Sequence, residues 1–293
     1  MRDSLTDEWH YAALGRYAEL HPETLEAIRA RCPVAYLPWG ALEWHGPHLP
    51  LGLDGMTAEA IAERVARRTG GVVLPTTWWP VTTLPHASSI DLPSPLVRSL
   101  WDGIFTSLHQ SAWPIVVVIS GHYAQGHELV LMQAARNAIS LHGQLVFAIP
   151  PLALVDEDML DHAGLWETSL LLALRPDLVR LEALGSGTLR TTESAVLGRD
   201  PRAASNSLGQ RVLGLAVERI VGAVQNLLAS RDPAPLLALY DRRRERYQAY
   251  FQRYGTAIEP AIQAWWREQC AADDGTAPQS LKNGEELERA HES

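Results

Sequence analysis

The chain has 293 residues, 46% of them hydrophobic and 20% charged, and its 34 acidic against 25 basic residues leave a net charge of −9 with histidine neutral. That composition excludes a mainly disordered chain and permits one large domain or two small ones. The acidic balance, without a long Lys/Arg block, argues against nucleic acid as a partner. Cys32 and Cys270 are too few for a disulfide scaffold and point to a reduced, cytoplasmic setting. Met1 to Glu8 carries acids and no apolar leader, and no later stretch reaches the roughly 18 apolar residues of a membrane span, so neither secretion nor membrane insertion is expected.

Pro22, with Glu23 and Glu26 close behind, opens a helix that must end before Pro33. Residues 34–38 are a short apolar run suited to a buried strand, and a polar segment from Gly40 to Gly55 follows. Helical spacing returns over 56–68 and Gly70-Gly71 closes it. A second strand is expected at 72–75, a helix at 97–109 and the clearest interior strand at 115–119. Residues 128–140 read as helix, 145–150 as a fourth strand, 167–174 as helix and 209–228 as a long amphipathic helix. Short uninterrupted apolar strands alternating with helices predict an α/β fold: a mainly parallel sheet covered on both faces, with functional loops at the carboxyl ends of its strands. No strand leads into a GxGxxG turn and no phosphate loop is present, which disfavours a dinucleotide fold.

Arg231-Asp232-Pro233-Ala234-Pro235 marks a boundary between a core of residues 1–230 and a C-terminal extension, 231–293. In the extension, 239–254 carries Arg242, Arg243 and Arg244 among Tyr240, Tyr247, Tyr250 and Tyr254. It reads as a helix that packs its tyrosines on the core or on another subunit and turns its arginines to water. A shorter helix with Trp265-Trp266 follows over 259–270, and 271–293 is polar.

The less ordinary counts are 11 histidines and 10 tryptophans, and many of them collect just past the expected strands. Glu43 and His45 alternate, so an extended backbone points both to one side. Prolines and glycines between them and Asp54 force the turns that bring its carboxylate back. Carboxylates and imidazoles together suit zinc, manganese or iron better than calcium. The second cluster, Ser120-Gly121-His122-Tyr123-Ala124-Gln125-Gly126-His127-Glu128, follows the clearest strand, so His122 can meet the first cluster at the common sheet edge. There His127 and Glu128 read as the cap and first turn of a helix. In the third, Asp156 to Glu167, His162 and Glu167 converge from a turn and a helix start. His162 suits a general acid or base on the pocket wall, and Glu167 a carboxylate ligand or water-holder. Asp156, Glu157, Asp158 and Asp161 read as a solvated approach or helix caps. Trp44 and Trp166 offer flat apolar walls for a small planar or cyclic ligand; Trp78, Trp79 and His86 border the same opening and suit core packing or a structural hydrogen bond equally well.

At these clusters the sequence resembles the creatininase family, also called creatinine amidohydrolases, from about residue 18 to about residue 230. Glu43-Trp44-His45-Gly46-Pro47-His48-Leu49-Pro50-Leu51-Gly52-Leu53-Asp54 matches the family's Glu-x-His-Gly-Pro-His-Leu-Pro-Leu-Gly-x-Asp signature. Ser120-Gly121-His122 corresponds to its Asn-Gly-His turn, and His162-Ala163-Gly164-Leu165-Trp166-Glu167-Thr168-Ser169 to its His-Ala-Gly-x-x-Glu-Thr-Ser segment. The resemblance implies a three-layer α/β/α sandwich, assembly into homo-oligomers with hexamers among them, and one or two divalent metals (Zn, Mn or Fe). It gives Glu43, Asp54 and His122 to the first metal and His45 and Asp54 to the second, with Asp54 bridging. His48 and Tyr123, inside the matched motifs, join the tryptophans and His86 as candidate substrate contacts.

Ala124 stands where creatininase itself has a metal-binding glutamate. Either Glu167, favoured by its place in the third motif, or Glu128 completes the second site, or one metal alone is tightly held. This departure makes creatinine itself an unsafe expectation. The activity implied is divalent-metal-dependent hydrolysis of a small linear or cyclic amide, with water attacking a carbonyl and His162 giving a proton to the leaving group. With carbon leaving, the same apparatus would cleave a small cyclic ketone or β-dicarbonyl. A metal-dependent isomerase or lyase on a sugar-like ketone, and a non-enzymatic metal-binding or assembly protein, are the rival classes.

Overall fold

The computed structural model describes residues 14–275; the acidic start, Met1 to Glu8, and the polar tail after residue 275 lie outside the described residues. Five short strands form one sheet: β1 (Leu14–Arg16), β2 (Val34–Trp39), β3 (Gly71–Val73), β4 (Ile115–Ser120) and β5 (Leu145–Phe147), in the order β1-β3-β2-β4-β5. Every pairing is parallel, and Val34 to Trp39 runs in register with Ile115 to Ser120. Each residue of β2 and β4 is buried, because helices cover both faces and leave these central strands no solvent side.

The helices are α1 (Pro22–Arg31), α2 (Leu53–Thr69), α3 (Ser94–Gln110), α4 (Gln125–His142), α5 (Leu165–Leu174), the single turn α6 (Thr191–Ser194), α7 (Asn206–Ser230), α8 (Ala234–Arg246), α9 (Gln248–Tyr254) and α10 (Ile258–Asp273). α3 packs on α4, and α7 lies against α2 and α5. With strand order β1-β3-β2-β4-β5, the right-handed rule for parallel crossovers puts these two sets on opposite faces, which makes an α/β/α sandwich. α7 is long and apolar enough to cross a membrane by length and composition alone. Val212, Leu213, Ile220 and Val224 are nevertheless buried while Arg211, Glu218 and Arg219 face solvent, the pattern of an amphipathic core helix.

From β2 the chain crosses through α2 to β3 on one side, and from β4 through α4 to β5 on the other. A crevice therefore opens at the carboxyl ends of β2 and β4, where an open parallel sheet places its ligand. Its walls meet closely at Gly121: a Cβ there would stand 2.0 Å from the Asp54 carbonyl oxygen, so glycine lets the β4 loop press against the first turn of α2.

The chain departs from its pattern in a few places. β1 is three residues long, too short for any periodic signal. α2 begins at Leu53 rather than near residue 56, and Asp54 thus sits buried in its first turn instead of in a returning loop. The expected single helix over 239–254 is two, α8 and α9, meeting at Tyr247. Arg242 and Arg244 are exposed, but Arg243 corrects the expectation that this helix turns its arginines to water. It is 3% exposed, with Glu128 and Glu157 as partners. Leu236, Tyr240 and Tyr247 of the extension join the same apolar cluster as the sheet.

Candidate metal centre

Each candidate ligand except Asp54 is oriented by a backbone partner that uses up one of its polar atoms. His45 donates from Nδ1 to its neighbour Glu43's carbonyl (3.1 Å), which leaves Nε2 facing the Asp54 carboxylate at 3.0 Å. His122 donates from Nε2 to the Val81 carbonyl (3.2 Å), which leaves Nδ1 2.9 Å from Glu43 and 3.3 Å from Asp54. His162 donates from Nε2 to the Trp44 carbonyl (3.1 Å) and turns Nδ1 to within 4.0 Å of Glu43. Backbone carbonyls that fix the far nitrogen of an imidazole select the tautomer with its other nitrogen free for a cation. Glu43 accepts from the Leu84 amide through Oε1, and Glu167 accepts from the Ala163 amide (2.6 Å). Ala163 reaches that position with φ of +51°, a strained conformation for an alanine, and so aims its N–H at the carboxylate.

What remains is a surplus of acceptors. Glu43 Oε2, His45 Nε2 and both Asp54 oxygens are buried without a hydrogen-bond partner; several approach one another at hydrogen-bond distance but not in hydrogen-bond directions. Buried polar atoms are almost always satisfied, so converging unpaired acceptors call for a positive charge between them. Two groups of three meet this need, Glu43–Asp54–His122 and His45–Asp54–Glu167, and they share Asp54; the donor atoms within each lie within 4.8 Å of one another. A third, Glu43–His45–His162, overlaps both. The donor set is imidazole and carboxylate, and it is able to chelate one or two divalent ions.

Electrostatics agree with that geometry. Burial pushes the His45 imidazole down, but Asp54, Glu167 and Glu43 outweigh it and raise the group to about 10. His122 is likewise raised against burial by Glu43 and Asp54. His162, with weaker carboxylate contact, is pushed by burial down to about 4. Burial also raises the Glu167 carboxyl well above its ordinary range, with Asp54 and Asp161 adding to the rise against the pull of His45.

The remaining candidates scatter. A cavity of about 210 Å³ opens over Glu43, His122 and His162, and of the seven expected substrate contacts only Tyr123 lines it among the described residues. His48 is buried elsewhere, its Nε2 on the Ala163 carbonyl (3.0 Å) and near the Thr168 hydroxyl, so it braces the third motif instead of reaching the cavity. Trp78 covers the glycines at 52 and 55, and Trp79's carbonyl accepts from the Trp39 indole. His86 is exposed and stacks on Trp44 with ring centroids 4.3 Å apart, and the Arg199 guanidinium lies over Trp166. Glu128 is no metal ligand: Arg243 and Tyr247 occupy its carboxylate. Asp161 caps α5 by accepting from the Trp166 and Glu167 amides, and His127 stacks on Trp39.

Sequence reasoning missed the opposite wall, formed by Tyr250, Phe251, Ile258, Ile262 and Trp265. The spacing of Ile258, Ala261, Ile262 and Trp265, three, four and seven apart, was the signal that one face of α10 is apolar.

A parallel α/β/α sandwich carrying a buried histidine–carboxylate centre at its switch point defines a metallohydrolase-like class of protein. The family model described as Creatininase, creatinine amidohydrolase, matches residues 18–224, and the chain belongs to that family. It is 29% identical over 177 residues to creatinine amidohydrolase of Pseudomonas putida, covering 51% of this chain and 67% of that protein. It is 27% identical over 239 residues to the mycofactocin precursor peptide peptidase of Mycolicibacterium smegmatis, covering 73% and 93%. Among solved structures, a manganese form of creatininase superposes with a TM-score of 0.65 at 23% identity, covering 74% of this chain and 98% of that one.

Proposed function

We propose that the protein is a divalent-metal-dependent hydrolase acting on a small linear or cyclic amide. The single observation that carries this reading is the convergence of orphaned carboxylate and imidazole acceptors beside a cavity that Glu43, His122 and His162 line. Both a creatinine amidohydrolase and a peptide peptidase stand among its relatives, and amide cleavage is the chemistry common to those names. In this reading Glu43, Asp54 and His122 hold one ion and His45, Asp54 and Glu167 a second, with Zn, Mn or Fe as the candidates. Bound there, the metal supplies polarisation of a carbonyl and acidification of water.

The protein's own groups do the rest. At neutral pH His162 is unprotonated, and its free Nδ1 faces the cavity side of Glu43, so it takes a proton from the attacking water and passes it to the departing nitrogen. It thus begins the cycle as a base and ends it as an acid. The Tyr123 hydroxyl has no partner and is held protonated by burial and by the nearby Glu167, Asp54 and Asp161 carboxyls. It is the donor for the carbonyl oxygen as negative charge builds there. Assembly into homo-oligomers belongs to the same proposal and is read by light scattering.

Chelation should abolish hydrolysis of small amides, and Zn, Mn or Fe should restore it with one solvent oxygen in the carboxylate product in heavy-oxygen water. Undiminished turnover by metal-free protein defeats the reading; transfer of hydrogen without solvent oxygen identifies an isomerase instead.

A further inference from the structure

The cavity over the metal centre has two unlike sides. Glu43, His122 and His162 form a polar floor, while Tyr250, Phe251, Ile258, Ile262 and Trp265 face it from a stretch that lies beyond residue 224, where the family match ends. No Lys or Arg lines the cavity among the described residues, so an anionic group placed against this wall would meet no side-chain counter-charge. At about 210 Å³ the space falls below the roughly 300–1,000 Å³ of sites for drug-sized ligands and admits a group of about one ring beside the reacting carbonyl.

This wall is fastened to the body of the protein at several points. Arg243 of α8 is buried against Glu128 of α4, the helix that begins three residues after His122. Glu259 of α10 accepts from the Ser94 amide at the start of α3 (2.7 Å), and Asp273 accepts from the Thr192 amide and hydroxyl (2.6 and 2.7 Å). At Gly126 a Cβ would stand 2.6 Å from the Ile258 side chain, so α10 presses directly on the first turn of α4. A segment held this closely presents its apolar face in a fixed position, and apolar surface there gains by excluding water from a matching group.

We propose that residues 250–265 are the specificity wall of the active site, selecting substrates whose scissile carbonyl carries a neutral apolar substituent, aromatic or branched aliphatic. The inference deepens the amidohydrolase reading and rests on it. Ile262 and Phe251 are its principal contacts, and the polar floor is common to every substrate.

Hydroxamates test it without turnover, because their chelating head engages the metals and their tail probes the wall. With metal-loaded full-length protein, phenylacetohydroxamate should bind at least tenfold tighter than acetohydroxamate by titration calorimetry. Ile262→Ala and Phe251→Ala should cut that preference to threefold or less while leaving acetohydroxamate affinity and metal content within twofold of the parent. Ile262→Thr, which keeps the β-branch and removes less bulk than alanine, gives the same comparison if an alanine variant fails to fold. Equal binding of the two probes by the parent, or an undiminished preference in every folded variant, overturns the proposal. If neither hydroxamate shows metal-dependent binding, the hydrolase reading is what fails. The wall is then judged by phenylacetamide against acetamide, where a tenfold preference lost in Ile262→Ala sustains it and its absence overturns it.

Discussion

Two charged clusters are buried in this molecule, one around Asp54 and one around Arg243, and they are built on opposite principles. Around Arg243 every charge has its counterpart: the guanidinium meets Glu128 at 2.5 and 2.6 Å and also Glu157, while Tyr247 donates to Glu128. Around Asp54, carboxylates and imidazoles converge and four buried atoms have no hydrogen-bond partner. The first cluster is complete in itself and fastens the C-terminal helices to the core. The second is complete only with a cation, and a deficit of this kind, more than the presence of His and Glu as such, marks a metal centre.

The sharpest way to break the comparison is to remove one charge from each. Asp54→Ala takes away the oxygen-bearing residue common to two of the ligand groups. It should cut amide hydrolysis on the order of 10³-fold, since several kcal/mol of metal-derived stabilisation depend on it, with metal content by elemental analysis falling below half the parent's. An Asp54→Ala protein with full metal content and full rate would remove Asp54 from the centre. Arg243→Met should do the reverse. It leaves Glu128 as an uncompensated buried charge and costs about 3–5 kcal/mol in urea unfolding, with metal content unchanged in the folded protein. A change below about 1 kcal/mol would mean that the pair is not buried in solution.

The third test concerns protons and is smaller. The metal-free protein holds His45 protonated to about 10, above the ordinary imidazole value near 6.5. This stabilisation is fully present below the unfolded value and is lost as pH rises through the folded one. Chelated protein should therefore melt progressively lower as pH is raised from about 7 to about 10, whereas loaded protein should change less because the ions occupy the same nitrogens. Metal binding near neutral pH should release protons, detected by calorimetry in two buffers of different ionisation heat. A release of zero would show that the imidazoles were already neutral.

Much of this molecule was legible before folding. The central strands were readable because burial on both faces demands uninterrupted apolar runs, and 34–38 and 115–119 are such runs. That Glu43, His45, Asp54, His122, His162 and Glu167 would converge was readable because metal chemistry restricts residue type and a parallel sheet restricts where such residues can sit. The apolar wall of the cavity was not. Trp44, Trp78, Trp79 and Trp166 stood near the motifs in sequence, but an indole serves core and cavity equally well, and which it serves depends on neighbours from elsewhere in the chain. His48 carried a motif position and still turned away, because the Ala163 carbonyl offered its ring a buried partner.

The sequence by itself determined the layer architecture, the ligand chemistry and the edge of the sheet at which they meet, since each follows from local pattern and residue type. Tertiary structure alone decided that Asp54 comes from a helix turn pressed against Gly121, that Glu128 belongs to Arg243 and not to a metal, and that α9 and α10 close over the cavity. Those outcomes depend on contacts between residues far apart in the chain, 115 positions for Glu128 and Arg243 and 165 for Ser94 and Glu259, and no short-range pattern encodes which of several chemically suitable partners a buried group will meet.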